Sequence, residues 1–257
     1  MPKPDFLIIG AQKCGTSSLF HYLGQHPDLI LPSLKEIQFF SLEYSMGWNW
    51  YKNQFPQKPF FKRKLTGEAS PYYLFHPLVP ARVTKHLPKV KLIVMLRNPV
   101  DRAYSHFWHE KKYRTEPLDS FEEAIAKEHE RISEEEQKLI NKKITQSQPY
   151  RSFSYLGRGM YFKQISEWLR FFPITQMHFI KSEKFFESPG TEMAGLYRFL
   201  GIRQIIPDNL TPQNTNAYPA LEAEIRERVA INFLGDGKKL AGLLGDQFVW
   251  DNRSQSK

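Results

Sequence analysis

The sequence has little cysteine: Cys14 is the single one among 257 residues. One cysteine cannot form a disulfide within the chain, and no CxxC pair is available to bind zinc. No apolar run approaches the roughly 18–20 residues of a membrane-spanning helix. A predicted strand follows Met1-Pro2-Lys3-Pro4 directly, which leaves no segment for a signal peptide. These absences predict a cytoplasmic protein without a membrane span.

Internal repeats, low-complexity tracts and Gly/Ser-rich linkers are also absent, which predicts one domain over residues 1–257. Hydrophobic residues make up 41% of the chain and charged residues 25%, as in an ordinary globular protein. The net charge of +9 favours anionic partners such as nucleotides or polyanionic sugars. No nucleic-acid recognition motif accompanies this charge, so a nucleic acid is not an expected partner.

Short apolar runs alternate with helical patterns along the chain, which predicts βαβ units and a parallel sheet. Strands are predicted at 6–9, 90–96 and 176–180, and helices at about 100–113, 161–171 and 193–200. Leu221, Ile225, Val229 and Phe233 predict a further helix that Asp236-Gly237 breaks. The polar segment 122–143 is mixed in sign, which predicts a solvated helix inserted on the surface.

A glycine- and hydroxyl-rich loop, residues 10–18, lies between the first strand and the first helix. Backbone N–H groups of such a loop, together with the helix N-terminus, form an anion site to which Lys13 adds positive charge. The loop departs from a Walker A motif, in which the lysine directly follows the second glycine, because here Thr16 follows Gly15. The alternative is a plain glycine turn beside a solvated lysine.

A second candidate site follows the strand at 90–96. Arg97 comes directly after this strand, at an edge where open α/β sheets bind ligands, and Ser105 follows about two helical turns later. An arginine fork and a hydroxyl suit one phosphate group. Alternatively, Arg97 pairs with Asp101 or Glu110 and Ser105 is an ordinary helix residue.

Together the two motifs resemble those of sulfotransferases that use 3′-phosphoadenosine-5′-phosphosulfate (PAPS). The chain is most similar to the heparan sulfate sulfotransferase branch and its bacterial relatives. The likeness extends over ordered segments at 5–13, 26–28, 35–40, 67–72, 97–105 and 158–161. It implies an α/β fold, a three-layer α/β/α P-loop-like domain with a central parallel sheet, and a single sulfotransferase domain over residues 1–257.

The resemblance also implies site residues. The 5′-phosphosulfate would be held by Lys13, Cys14, Gly15, Thr16, Ser17 and Ser18, with Lys13 stabilising charge on the leaving phosphate. Arg97 and Ser105 would hold the 3′-phosphate that distinguishes PAPS, and its product adenosine-3′,5′-bisphosphate (PAP), from ordinary adenosine phosphates. Because PAPS is already activated, no metal is required.

Glu36 matches the glutamate that this branch uses as catalytic base, and the resemblance implies that Lys35 lies near the sulfuryl group or the acceptor. Tyr72, from the aromatic residues near it, is a further candidate contact of the acceptor. From the residues alone, Glu36 is an ordinary surface glutamate. The rival bases are the histidines, namely His21, His26, His76, His106 and His109. Aromatic residues at 48–55 and 72–75 line an acceptor cleft or pack in the core.

The sequence departs from the animal members of the branch late in the chain. A cysteine-flanked basic loop is expected there, but residues 211–219 contain no cysteine, lysine or arginine. Arg158 either supplies some of the missing positive charge or forms a structural salt bridge. The predicted function is transfer of a sulfuryl group to a hydroxyl or amine of a saccharide or small metabolite. The alternative is a P-loop nucleotide phosphotransferase or kinase.

Overall fold

The computed structural model describes residues 3–57, 64–214 and 217–251. Its first strand, β1 (Phe6–Gly10), is buried along its whole length. It pairs in parallel with β2 (Gly67–Ala69) on one side and with β3 (Lys91–Leu96) on the other. β4 (Met177–Lys181) pairs in parallel with β3, so the strand order is β2-β1-β3-β4. The predicted α/β fold with a central parallel sheet is confirmed.

The three predicted strands are present, whereas β2 was not predicted, because its 3 residues are too few for a periodic pattern. The helices are α1 (Thr16–Gly24), α2 (Gly47–Asn53), α3 (Val79–His86), α4 (Pro99–Lys112), α5 (Phe121–Ala126), α6 (Glu128–Ile132), α7 (Glu135–Ile140), α8 (Gln148–Ser152), α9 (Tyr161–Leu169), α10 (Ser182–Glu187), α11 (Pro189–Leu200), α12 (Ala223–Ala230) and α13 (Leu234–Leu244). Short 3₁₀ turns include Pro71–Leu74 and Gly157–Gly159.

The chain folds as two compact units. The first unit contains Met1–Leu96 and Trp168–Thr215, and therefore the whole sheet. The second contains Arg97–Glu167 and Asn216–Lys257. The single sulfotransferase domain over residues 1–257 stays a prediction. Within the described residues, no helix combines the length and the apolar composition needed to cross a membrane.

The ends of the helices follow local chemistry. Asn98 caps α4, because its Oδ1 accepts the Val100 N–H at 2.9 Å, and Pro99 occupies the first turn as predicted. Gly201, at φ +77°, ends α11 in the left-handed conformation that glycine adopts without strain. Lys91 Nζ donates to the Leu200 carbonyl at 2.9 Å and so satisfies an acceptor at that helix end.

The core of the second unit forms where α4 packs against α12 and α5. Buried members of this cluster include Tyr104, Phe107, Phe121, Val229 and Phe233. Asp101 of α4 forms a buried ion pair with Arg226 of α12. Each charge in such a pair compensates the other, so removing one partner would leave an uncompensated buried charge.

The prediction of one solvated helix over 122–143 is wrong. The segment forms α5, α6 and α7, and Glu128 of α6 is only 6% exposed. The Glu128 carboxylate accepts the N–H groups of Leu156 at 2.6 Å and Gly157 at 2.8 Å. Burial raises the pKa of Glu128, and these hydrogen bonds to its ionised form oppose that rise.

The predicted helix break at Asp236-Gly237 is also wrong, because α13 continues through both residues. The helix is interrupted earlier, by a 3₁₀ turn at Ile231–Phe233. The Asp236 carboxylate accepts the N–H groups of Phe162 at 2.9 Å and Lys163 at 3.1 Å. Asp236 therefore caps α9 from within another helix, a role that only a long-range contact reveals.

We expect Gly237→Ala to raise the free energy of unfolding by about 0.5–1 kcal/mol, because alanine favours the helical conformation and a Cβ there meets nothing within 4 Å. Gly67→Ala is the opposite control, since its Cβ would lie 2.6 Å from the Phe6 carbonyl oxygen. Urea denaturation measures both. A loss of stability in Gly237→Ala would contradict the continuous α13.

Candidate active site

The loop between β1 and α1 is anchored at both ends. Ala11 N–H donates to the Met95 carbonyl at 2.7 Å, which fixes the start of the loop against β3. Further along, the Ser182 hydroxyl donates to the Cys14 carbonyl at 2.6 Å. The loop is therefore held by residues from the carboxyl ends of β3 and β4, the edge where parallel sheets bind ligands.

Two glycines of the loop permit its close packing. A Cβ at Gly10 would lie 2.6 Å from the Leu74 Cβ, and one at Gly15 would lie 2.8 Å from the Phe186 ring. Gly15 also has φ +92°, in the left-handed region, and Lys13 has φ +70°. A positive φ at a non-glycine residue is uncommon and often accompanies function.

The N-terminus of α1 is arranged for an anion. Gly15 is its N-cap residue and supplies no side-chain hydrogen bond to the first turn. The N–H groups of the first helical turn have no partner within the helix, and they carry partial positive charge. Thr16 and Ser18 are buried, and Ser17 is half-buried. The residues predicted to hold a phosphate are thus brought together at one helix end.

The hydroxyls of this turn are engaged by the strap, which we define as residues 203–214. Asn214 Nδ2 donates to Ser17 Oγ at 3.0 Å, and Gln213 N–H donates to Ser18 Oγ at 2.8 Å. Because a hydroxyl that accepts a hydrogen bond keeps its own proton, Ser17 remains able to donate to a ligand.

The strap is tied to α1 and the following turn at several points. Tyr22 Oη donates to the Leu210 carbonyl at 2.5 Å, and Gln25 Nε2 donates to the Asn209 carbonyl at 2.8 Å. Arg203 Nε lies 2.9 Å from Asp28 Oδ2, and hydrogen bonds from Arg203 hold the pKa of Asp28 at about 2. The segment 211–219, predicted to stand in place of a basic loop, begins within the strap. Thr215 and Asn216 of that segment lie outside the described residues.

The segment with Glu36 is fixed at the end of β2. Glu36 N–H donates to the Ala69 carbonyl at 3.0 Å, and Ala69 pairs with Ile8 of β1. The Glu36 side chain is 43% exposed, so its carboxylate is accessible. Lys35 Nζ contacts Glu36 Oε1 at 2.7 Å, and Gln38 Nε2 donates to Oε2 at 3.1 Å. Both oxygens of the carboxylate are held in place.

A cleft of about 520 Å³ runs along α1 and includes Lys35 in its wall. The lining combines apolar and polar side chains, among them Ser17, Phe20, His21, Leu31 and Asn214. Polar side chains predominate in the wall, so the cleft offers mainly hydrogen-bonding groups to a ligand.

The other predicted cofactor residues belong to the second unit. Arg97 is half-buried, and its carbonyl accepts the Tyr161 hydroxyl at 2.9 Å. Ser105 is buried in α4. Arg158 is 3% exposed, and its Nη2 donates to the Arg151 carbonyl at 2.6 Å. Asp101, a possible partner of Arg97, pairs with Arg226.

Most of the rival histidines have structural partners. His26 Nε2 lies 2.9 Å from the Arg203 carbonyl, and His76 Nδ1 accepts the Leu78 N–H at 3.2 Å. His106 is fully buried in α4, 3.4 Å from Glu110. His109 is half-buried against Tyr113. His21 differs from these, because it is exposed in the wall of the cleft.

The aromatic residues pack mainly against one another. Phe39 stacks on Tyr51 at 4.5 Å between ring centroids, and Tyr51 meets Phe55 at 5.0 Å. Tyr72, predicted to contact the acceptor, is 4% exposed and lies against His76. Core packing therefore accounts for the rings of Phe39, Tyr51 and Phe55, and the acceptor contact of Tyr72 stays a prediction.

Sequence reasoning missed the contacts that hold the candidate residues in position. Gln38 lay in a recognised motif, but its contact with Glu36 depends on a left-handed backbone, at φ +57°. Gln213 and Asn214 reach α1 from about 195 residues away in sequence. Ser182 offered a signal, because it is a polar residue two positions after the end of a predicted parallel strand.

A family model described as the sulfotransferase domain matches residues 3–232. The membrane-associated sulfotransferase kil1 of Dictyostelium discoideum is 29% identical over 97% of this chain and 67% of its own length. Human heparan sulfate glucosamine 3-O-sulfotransferase 3B1 is 32% identical over 85% of this chain and 52% of its own length. The chain thus spans about half the length of the human relative.

A solved structure, a sulfotransferase from Alicyclobacillus acidocaldarius, is 32% identical and has a TM-score of 0.78. The match covers 95% of this chain and 96% of that one. The cytoplasmic location expected from the sequence stays a prediction.

We expect Asn214→Ala to weaken PAP binding by about twofold to tenfold, the usual value of one hydrogen bond, because the Ser17 hydroxyl loses the donor that orients it. Asn214→Asp should weaken binding further, since a carboxylate accepts the Ser17 proton and adds negative charge. Isothermal titration with PAP measures both variants. Wild-type affinity in both would mean that the strap does not prepare this hydroxyl.

Proposed function

Because the chain belongs to the sulfotransferase family, we propose that it transfers a sulfuryl group from PAPS to a hydroxyl or amine of a saccharide acceptor. The observation that carries the proposal is the accessible carboxylate of Glu36. The backbone N–H of Glu36 is hydrogen-bonded to β2, and β2 pairs with β1, the strand that the glycine loop follows. Family membership leaves the phosphotransferase alternative without support.

The loop fits the donor. Gly10 and Gly15 leave no space for a Cβ, and the uncapped first turn of α1 offers backbone N–H groups to an anion. We assign Lys13, Cys14, Gly15, Thr16, Ser17 and Ser18 to the 5′-phosphosulfate. PAPS, when bound, supplies an already activated sulfuryl group, so the task of these residues is positioning and charge stabilisation.

We assign the 3′-phosphate to Arg97 and Ser105. A guanidinium offers two parallel donors to phosphate oxygens, and a hydroxyl adds a third. Arg158 is assigned to the same side of the cofactor as a source of positive charge, since residues 204–214 contain no lysine or arginine.

In the proposed reaction, the acceptor oxygen attacks the sulfur while its proton moves to the Glu36 carboxylate. The bond between sulfur and the 5′-phosphate oxygen breaks, and the Lys13 ammonium stabilises the negative charge on that oxygen. Lys35 and Gln38 each donate a hydrogen bond to one oxygen of the Glu36 carboxylate. Because each oxygen has two lone pairs, either oxygen can still take up the proton of the acceptor hydroxyl.

We propose that the acceptor occupies the cleft beside Lys35, with Tyr72 as a further contact. Three features support a saccharide. The similar human enzyme is described as acting on heparan sulfate glucosamine, and the cleft wall offers amide, hydroxyl and ammonium groups beside apolar surface. The basic net charge of +9 suits an anionic saccharide.

Arg97→Ala should weaken PAP binding by about tenfold to a hundredfold, because hydrogen bonds to charged groups are worth about 1.5–3 kcal/mol. Arg97→Lys keeps the charge without the fork and should retain part of the affinity. Isothermal titration with PAP, and with adenosine-5′-phosphate as the ligand lacking the 3′-phosphate, measures the effect. Equal affinity of the wild type for both nucleotides would contradict the PAPS assignment.

Glu36→Gln should lower turnover by about 10²–10⁴-fold, the usual contribution of a general base, and leave PAP affinity unchanged. The assay measures PAP released from PAPS in the presence of heparan sulfate oligosaccharides. Glu224→Gln, which removes an exposed carboxylate from α12, is the matched control and should behave as wild type. Full activity in Glu36→Gln would exclude Glu36 as the base.

A further inference from the structure

Glu68, in β2, is a fully buried carboxyl group that receives three hydroxyl hydrogen bonds. Its Oε2 accepts Ser70 Oγ at 2.6 Å. Its Oε1 accepts the hydroxyls of Tyr73 at 2.8 Å and Tyr51 at 2.9 Å. Burying a carboxylate costs much free energy unless it is hydrogen-bonded, so a group of this kind requires an explanation.

We propose that Glu68 is a positioning residue that holds the proton acceptor Glu36 in place through the hydroxyls of Ser70 and Tyr73. The inference rests on the proposed function, since it takes Glu36 as the base. We call Glu68, Ser70 and Tyr73 the hydroxyl relay.

Each hydroxyl of the relay makes two hydrogen bonds of opposite direction. Ser70 Oγ donates to Glu68 and accepts the Gln38 N–H at 3.0 Å. Tyr73 Oη donates to Glu68 and accepts the Phe40 N–H at 3.2 Å. A carboxylate can only accept, so it draws both hydroxyl protons to itself and leaves their lone pairs to the two N–H groups.

The relay continues a backbone pattern. The N–H of Glu36 donates to the Ala69 carbonyl, and the next alternate N–H groups, those of Gln38 and Phe40, donate to the relay hydroxyls. The alternation resembles a strand pairing with β2, except that side-chain oxygens replace main-chain carbonyls beyond Ala69. Segment 36–40 is therefore tied at every second residue to β2 or to the turn that follows it.

These ties hold an unfavourable backbone. Glu36 has φ +64° and Gln38 has φ +57°, both in the left-handed region that non-glycine residues seldom adopt. Such a conformation persists when the surrounding contacts enforce it. The ties at Glu36, Gln38 and Phe40 supply these contacts.

The held backbone in turn places the Glu36 carboxylate. Gln38 Nε2 donates to Glu36 Oε2, and the Ser41 hydroxyl donates to Gln38 Oε1 at 2.7 Å, which fixes the orientation of the amide. The path from the buried Glu68 to Glu36 thus runs by hydrogen bonds through Ser70 to the backbone of Gln38, and from the side-chain amide of Gln38 to Glu36. Burial raises the pKa of Glu68, and the three hydroxyls oppose that rise.

Tyr51 provides the matched control. It donates to the same Glu68 oxygen as Tyr73 and is equally buried, but it lies on α2, outside the segment that the relay holds. If Glu68 only stabilised the core, Tyr51→Phe and Tyr73→Phe would change kcat equally. If Glu68 acts through the relay, only Tyr73→Phe releases segment 36–40.

The experiment compares Tyr51→Phe, Tyr73→Phe and Ser70→Ala in the full chain. We expect Tyr73→Phe to lose more free energy of unfolding than Tyr51→Phe, because it also leaves the Phe40 N–H without its acceptor. We expect kcat to fall roughly tenfold further in Tyr73→Phe and Ser70→Ala than in Tyr51→Phe, since small misplacements of a catalytic group are costly. PAP affinity should stay at the wild-type value. Hydrogen exchange should accelerate at Phe40 in Tyr73→Phe and at Gln38 in Ser70→Ala. Turnover is measured with PAPS and heparan sulfate oligosaccharides.

Equal kcat in Tyr51→Phe and Tyr73→Phe, together with unchanged exchange at Phe40, would overturn the relay. Ser70→Ala tests it independently and would do the same if kcat and Gln38 exchange stayed at wild type. The activity of Glu36→Gln separates the proposed base from the relay. If Glu36→Gln is inactive while Tyr73→Phe and Ser70→Ala keep the kcat of the wild type, only the relay is refuted. A fully active Glu36→Gln refutes the proposed base, and the relay with it.

Discussion

Parallel pairing of β1 with β2 and with β3 is the constraint on which the candidate site depends. Parallel strands end at the same edge of a sheet, so the segments that follow them begin close together. The glycine loop follows β1 and is fixed against β3, and Ser70 follows β2. One short buried strand therefore organises residues that are far apart in sequence.

Neutral hydrogen-bonding groups perform much of the positioning in the first unit. The strap holds α1 through carbonyls and amides, and Asn214 and Gln213 contact the hydroxyls of its first turn. Segment 36–40 is held by Ala69, Ser70 and Tyr73 in the same way. Such contacts depend on geometry, and salt screens them far less than it screens exposed charge pairs.

Buried charges are compensated in different ways in the two units. In the second unit, Asp101 pairs with Arg226, and Glu116 accepts two hydrogen bonds from Arg131 at 2.8 and 3.0 Å. Burial alone would raise the pKa of Glu116, but the Arg131 hydrogen bonds bring it below its usual value. In the first unit, Glu68 is held by hydroxyl groups. Two of these hydroxyls, those of Ser70 and Tyr73, also accept N–H groups of segment 36–40, and this contact points to a positioning role for Glu68.

The sequence by itself determined the parallel α/β fold, three of the four strands found in the described part of the chain, the glycine loop and the family. These features depend on local patterns, namely buried apolar runs, glycines and ordered motifs. Tertiary structure decided that Asp236 caps α9, that Glu128 is buried and that Gln38, Ser70 and Asn214 hold the candidate residues. The sequence around a side chain does not indicate which distant residue it will contact, because that contact depends on how the strands and helices pack.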